Sequence, residues 1–202
     1  MPVHLVFETH SIGIDNETGH ATGWLDGELS AQGRALAAEL GERRRDDGID
    51  AIFTSDLRRA VETVEIAFAG ATIPVHVDPR LRECNYGDWN GMPVARLDRE
   101  RLRRIEEPFP GGESYRQAVD RMASFLTDLA RDTDLARDTD LAGDTDLARD
   151  HGGQRVLLVG HSATRWALDH LLHGMPLEDL VTAPFDWRPG WAFLLPDRWR
   201  PG

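Results

Sequence analysis

Val3-His4-Leu5-Val6-Phe7-Glu8-Thr9-His10 near the start of the chain and Arg155-Val156-Leu157-Leu158-Val159-Gly160-His161 late in it share one layout, and that layout decides the fold. Each is a short, β-branched apolar run that ends at a histidine. Runs of this length and composition read as strands buried on both faces, as in a parallel sheet covered by helices. Working outward, Ile49 to Phe53, Ile73 to Val77 and Trp191 to Leu195 read as three further strands. Helix-period segments lie between them. Ser30 is an N-cap for a helix that carries Leu36 and Leu40 and ends near Gly48; Asp56 to about Phe68 reads as a second helix and Ser162 to about His173 as another. Strands alternating with helices predict an α/β protein, a three-layer α/β/α sandwich with a mostly parallel central sheet. The length of 202 residues fits a single domain over 1–202.

Composition excludes several chemistries. All 23 basic residues are arginine and none is lysine, so no Walker-A lysine and no lysine Schiff base can form. The single cysteine, Cys84, rules out an internal disulfide framework and any multi-cysteine metal centre. The net charge of −12 argues against a nucleic-acid partner. No apolar run approaches the roughly 18 residues of a membrane span, and the N-terminus lacks the layout of a secretory signal, so the expected location is the cytoplasm. Oligomeric state stays open, a homodimer included.

Residues 127–150 are four tandem hexads, TDLARD, TDLARD, TDLAGD and TDLARD, which together contribute −5 of the net charge. A six-residue step advances a helix by about 240° beyond one full turn, so the hexad leucines cannot share one stripe. The expectation is a solvated extension of the helix that begins near Ser114. Calcium binding by the aspartates is disfavoured, because neither the turn glycine nor the closing glutamate of an EF-hand loop is present.

If the strands are parallel, His10 and His161 both stand at the carboxyl edge of one sheet, where open α/β sheets place ligands. Each alone is more often a structural histidine. Arg59 follows the second strand and Glu83 the third. Two imidazoles, a guanidinium fork and a carboxylic acid together can supply a nucleophile, anion recognition and a proton for a leaving oxygen, which suits phosphoryl transfer without a metal or organic cofactor. Arg58 cannot face the same way as Arg59 on a helix, so one is expected in the pocket and one outside.

At this point the chain resembles the histidine phosphatase superfamily, in its phosphoglycerate mutase-like branch. The resemblance rests on His10 with Asn16, on Gly19, Gly23 and Asp26, on Leu29-Ser30 with Gly33, and on Ser55-Asp56-Leu57 with Arg59-Ala60 and Glu62-Thr63. It continues through Leu81-Arg82-Glu83, Gly87-Asp88-Trp89, Pro110-Gly111-Gly112-Glu113-Ser114, and Val159-Gly160-His161 with Arg165. The resemblance implies a phosphohistidine on His10, proton donation by Glu83, and phosphoryl oxygens held by His161 and Arg59, with Asn16, Thr9, Ser11, His20 and Ser162 around a small phosphorylated or anionic substrate. The departures cluster at this pocket: Thr9-His10-Ser11 stands where the family has Arg-His-Gly, His20 where it usually has arginine, and Ser162-Ala163 after the second histidine. Threonine donates one hydrogen bond but no charge, and removing one preorganised donor commonly costs about 10²–10³ in rate. Two function classes follow, a phosphatase and, on the same scaffold, an atypical member with altered chemistry or a non-catalytic anion-binding protein; a mutase is the weaker enzyme reading, for want of a lid insertion.

Two other readings are weaker. Gly160-His161-Ser162-Ala163-Thr164 resembles a hydrolase nucleophile elbow, but the only later histidines, His170 and His173, lie in the helix of Ser162 itself. The same two histidines lack a third ligand for zinc. Tyr86 to Trp89 is expected to pack in the core beside the acid, and Trp187, Trp191 and Trp199 to cover the sheet, with part of 185–189 near the pocket.

Overall fold

The protein is described from a computed structural model, which covers residues 1–131 and 153–202. The expectation for the hexads falls outside the described residues from residue 132 on. In chain order the elements are strand β1 (Val3–Thr9), helix α1 (Ile14–Glu17), strand β2 (His20–Ala21), helix α2 (Ala31–Arg44), strand β3 (Ala51–Thr54), helix α3 (Arg58–Ala67) and strand β4 (Val75–Val77). Strand β5 (Met92–Pro93), helix α4 (Val94–Asp98), helix α5 (Tyr115–Arg131), strand β6 (Arg155–Gly160), helix α6 (Ser162–His173), helix α7 (Leu177–Thr182) and strand β7 (Trp191–Leu195) follow.

The main sheet has the order β4-β3-β6-β1-β7, with β7 antiparallel to β1 and every other pairing parallel. Strand β6 returns between β1 and β3, so Thr9 lies opposite Gly160 and the two histidines that follow sit side by side at the carboxyl edge. Alternate residues divide the core: Val6, Leu157 and Val159 pack with Leu40 of α2 and Val64 of α3, while Leu5, Phe7, Val156 and Leu158 pack with Phe125 and Leu126 of α5 and Trp166 and Ala167 of α6. Helices cover both faces, and the predicted three-layer α/β sandwich is present.

Local chemistry sets the element ends. Ser30 caps α2 by accepting from Gly33 N–H at 3.0 Å. Gly33 also lets the loop after His10 approach, since a Cβ there would stand 1.9 Å from the Ile12 carbonyl oxygen. At the start of α5, Ser114 and Gln117 cap reciprocally: Gln117 N–H donates to Ser114 Oγ and Ser114 N–H to Gln117 Oε1. Helix α2 ends at Arg44 rather than near Gly48, which instead takes the positive φ of the following turn. Helix α3 starts two residues later than expected, because Leu57 is extended and stands as its N-cap. The expected strand 73–77 is regular only over Val75–Val77, because Pro74 has no N–H to pair; its carbonyl still accepts from Ile52 N–H. Trp191 and Trp199 pack against the core as expected; Trp187 does not cover the sheet but is 56% exposed, with Arg43 over its ring.

Candidate active site

Four elements deliver the site. Helix α3 is entered through Leu57, and its first turn places Arg59 inward and Arg58 outward, as the helix geometry requires. Arg59 is 2% exposed and makes no ion pair among the described residues. Its Nε donates to His10 Nε2 at 3.3 Å, one Nη lies 3.3 Å from His161 Nδ1, and the rest of the fork rests on the Gly23 and Leu25 carbonyls. The two imidazoles stand 5.0 Å apart, centroid to centroid.

The backbone fixes which nitrogen of His10 is free. His10 Nδ1 lies 2.7 Å from the Ser11 carbonyl oxygen, an acceptor, so Nδ1 carries the hydrogen and Nε2 the lone pair. Burial and the neighbouring Arg59 charge pull the His10 pKa down to about 3. His161 is held through Nε2 against Ser55 Oγ at 2.7 Å, and burial, followed by Arg59 and His10, pushes its pKa well below the usual histidine range. Both rings are therefore neutral near pH 7, with lone pairs aimed at one guanidinium. A buried cation without a direct ion pair is costly unless an anion completes it.

Glu83 enters from the segment after β4. Its Oε1 accepts from Cys84 N–H at 2.8 Å and from Ala163 N–H, in the first turn of α6, at 3.1 Å, while Oε2 makes no hydrogen bond among the described residues. The Glu83 carbonyl accepts from Trp24 Nε1 and from Arg121, whose guanidinium also grips the Arg80 and Arg82 carbonyls and both oxygens of Glu113. The acid is thereby fastened to α5 and α6.

These groups open into a cavity of about 110 Å³ lined by His10, Asn16, His20, Arg59, Glu83 and Ser162, and also by Tyr86, Leu97, Arg101 and Trp166. Six of the residues singled out from the sequence thus meet at one cavity, and His161 joins them through Arg59. Thr9 and Ser11 do not line it: Thr9 ends β1 half-buried beside Gly160, and Ser11 is turned inward, its N–H on Thr63 Oγ1. Asn16 spends Oδ1 on Gly13 N–H, and His20 Nδ1 lies 3.1 Å from Thr18 Oγ1. Neither Arg165, paired with Asp169, nor residues 185–189 line the cavity. Ser55 was legible only as part of the Ser55-Asp56-Leu57 motif, without a role, and Trp24, Arg121 and Arg101, which carry no positional signal, were missed. His170 is held by the Met175 carbonyl and Arg116, and His173 by Asp169, so neither is free to serve Ser162 as a base. No cluster of metal-ligating side chains occurs among the described residues.

A paired-imidazole, guanidinium and carboxyl site at the edge of a parallel sheet defines the class, and the chain belongs to the histidine phosphatase superfamily, branch 1, whose model matches residues 8–186. It is 34% identical over 191 residues to a 2,3-bisphosphoglycerate-dependent phosphoglycerate mutase of Cytophaga hutchinsonii, covering 90% of this chain and 82% of the mutase. It is 29% identical over 184 residues to phosphoserine phosphatase 1 of Hydrogenobacter thermophilus, covering 87% and 78%. A mycobacterial glucosyl-3-phosphoglycerate phosphatase superposes with a TM-score of 0.69 at 29% identity, over 90% of this chain and 84% of that one. Against several other curated mutases the chain spans only 39% to 47% of their length. Phosphatases and mutases both stand among these relatives, and the expectation of an enzyme of the phosphatase class is supported by them.

Proposed function

We propose that this protein hydrolyses a small phosphomonoester, without metal or cofactor, through a phosphohistidine on His10. The observation that carries the reading is the buried Arg59, unpaired among the described residues and flanked by two neutral imidazoles, a geometry completed by a phosphoryl dianion. Arg59 turns its donors to two phosphoryl oxygens and so releases the His10 Nε2 lone pair. His161 Nδ1 lies beside the same oxygens, and a bound dianion favours a proton there, where Arg59 alone disfavours it. Nε2 attacks phosphorus in line, the P–O ester bond breaks as the N–P bond forms, and the leaving oxygen takes a proton from Glu83. Glu83 then removes a proton from the water that attacks the phosphohistidine, releasing phosphate and restoring His10. The fixed Oε1 and unpartnered Oε2 of Glu83 suit that proton shuttle. The substrate is taken to be a dissolved cytoplasmic metabolite.

The relatives that act on phosphoserine and on phosphoglycerates support a small substrate of similar chemistry. Thr9 favours a second reading, an anion-binding protein with little turnover, because the strand end before His10 carries no guanidinium. Phosphate release from a panel of phosphomonoesters, in EDTA, separates the two. Release that disappears in His10→Ala supports hydrolysis; a folded protein that binds phosphate esters and releases none supports the binding reading.

A further inference from the structure

One polar group at the cavity has no part in the chemistry above and none in holding the fold. Ser162 is the first residue of α6, directly after His161, and it lines the cavity together with His10 and Glu83. A serine at a helix start usually serves as a cap, but this cap is closed without it. His161 is the N-cap, and its N–H donates to Thr164 Oγ1 at 3.3 Å. Thr164 Oγ1 in turn donates to the Leu81 carbonyl at 3.0 Å, which ties the helix start to the segment that leads to Glu83. The Ser162 hydroxyl makes no hydrogen bond among the described residues, and the residue is half-buried at the cavity wall rather than sealed in the core.

Glu83 fixes what that hydroxyl faces. Its Oε1 accepts from the N–H of Ala163, the residue after Ser162, at 3.1 Å, so the acid is pinned beside the helix start while Oε2 is unspent among the described residues. In a displacement at phosphorus the attacking and leaving atoms stand roughly in line. With the phosphoryl group on His10 Nε2, the attacking water therefore takes the position that the leaving oxygen has vacated, which is the position Glu83 serves. A hydroxyl and a carboxylate, both with unspent oxygens at one cavity, match the two hydrogens of one water.

We infer that Ser162 is a further catalytic residue, whose hydroxyl holds the water that hydrolyses the phosphohistidine. The inference rests on the phosphohistidine reading above and assigns a group to its second half-reaction. Ser162 Oγ accepts a hydrogen bond from one O–H of the water and keeps its own proton. The other water proton passes to Glu83 as the water oxygen bonds to phosphorus and the N–P bond breaks, its electron pair returning to His10 Nε2. In the first half-reaction the substrate oxygen occupies the same position and there is no water to hold. Ser162 thus favours decay of the phosphoenzyme over its formation, and so hydrolysis over return of the phosphoryl group to an acceptor.

The test follows both half-reactions of the full chain in EDTA with phosphoryl-labelled p-nitrophenyl phosphate. First-turnover release of p-nitrophenolate reports formation of the phosphoenzyme, and loss of label from His10 after a chase of unlabelled substrate, by rapid quench, reports its decay. Ser162→Ala and Ser162→Gly are each expected to slow decay at least about tenfold more than they slow formation, as loss of one positioning contact to a reacting atom commonly does. A smaller difference between the two steps in either folded variant would overturn the inference. Failure of the unmutated chain to carry label on His10 would remove the phosphohistidine reading and this inference with it, whereas a phosphoenzyme whose decay ignores Ser162 removes the inference alone.

Discussion

Thr9 and Arg59 show how far single positions set the chemistry. Arg59 was legible as a candidate because it follows a strand end and alternates with Arg58; its burial without an ion pair was not, since that depends on the Gly23–Leu25 loop folding over it. The structure places one guanidinium, that of Arg59, beside His10, and Thr9 before it carries no charge. Thr9→Arg is expected to raise turnover of p-nitrophenyl phosphate by at least about tenfold, since one preorganised donor to a transferring group is commonly worth 10²–10³. A folded variant with no gain would show that the missing charge does not limit the rate. Arg101 could not have been found from the sequence, where it is one of several arginines in 96–104 and only the packing of Trp166 singles it out.

At the scale of elements, long apolar runs were legible and short pieces were not. Strands β6 and β7 and helix α6 fall where their patterns place them, because a buried two-faced strand or a helix of several turns repeats its signal. The two-residue strands β2 and β5, which pair antiparallel and carry His20 and the wall beside it, have no periodicity to read. The same holds for α4 and α7, of five and six residues. Long-range polar clamps are equally silent in sequence. Arg121 of α5 holds the segment that carries Glu83, yet 38 positions separate the two. Arg121→Met is expected to cost about 1–3 kcal/mol of stability. It should also lower kcat more for alkyl phosphates than for p-nitrophenyl phosphate, whose leaving group needs little protonation. An equal loss on both substrates would mean that Arg121 does not act through Glu83. The melting temperature alone would not discriminate, because any buried clamp moves it.

Across the whole molecule, acidity and a cationic site coexist: the chain carries −12 overall, while the described residues lining its cavity set Arg59, Arg101, His10 and His20 against the one carboxylate of Glu83. The neutral, buried His10 and His161 tie this site to global stability. Their pKa values lie below the value near 6.5 of an unfolded histidine, to about 3 for His10, so on acidification the unfolded chain binds protons that the folded chain refuses. Stability that is complete above pH 6.5 is therefore lost progressively as pH falls toward 3. Denaturation midpoints between pH 7 and 5, above most carboxylate titration, should fall more steeply for the unmutated chain than for His10→Asn/His161→Asn; parallel curves would contradict the assignment. The measurement that bears most directly on the central claim is rapid quench during turnover of a labelled phosphomonoester, followed by mass analysis of the peptide that holds His10. An acid-labile phosphoryl group on His10, formed in EDTA and absent in Glu83-intact His10→Ala, is the predicted result. Steady release of phosphate with no phosphoryl group on His10 at any quench time would contradict it.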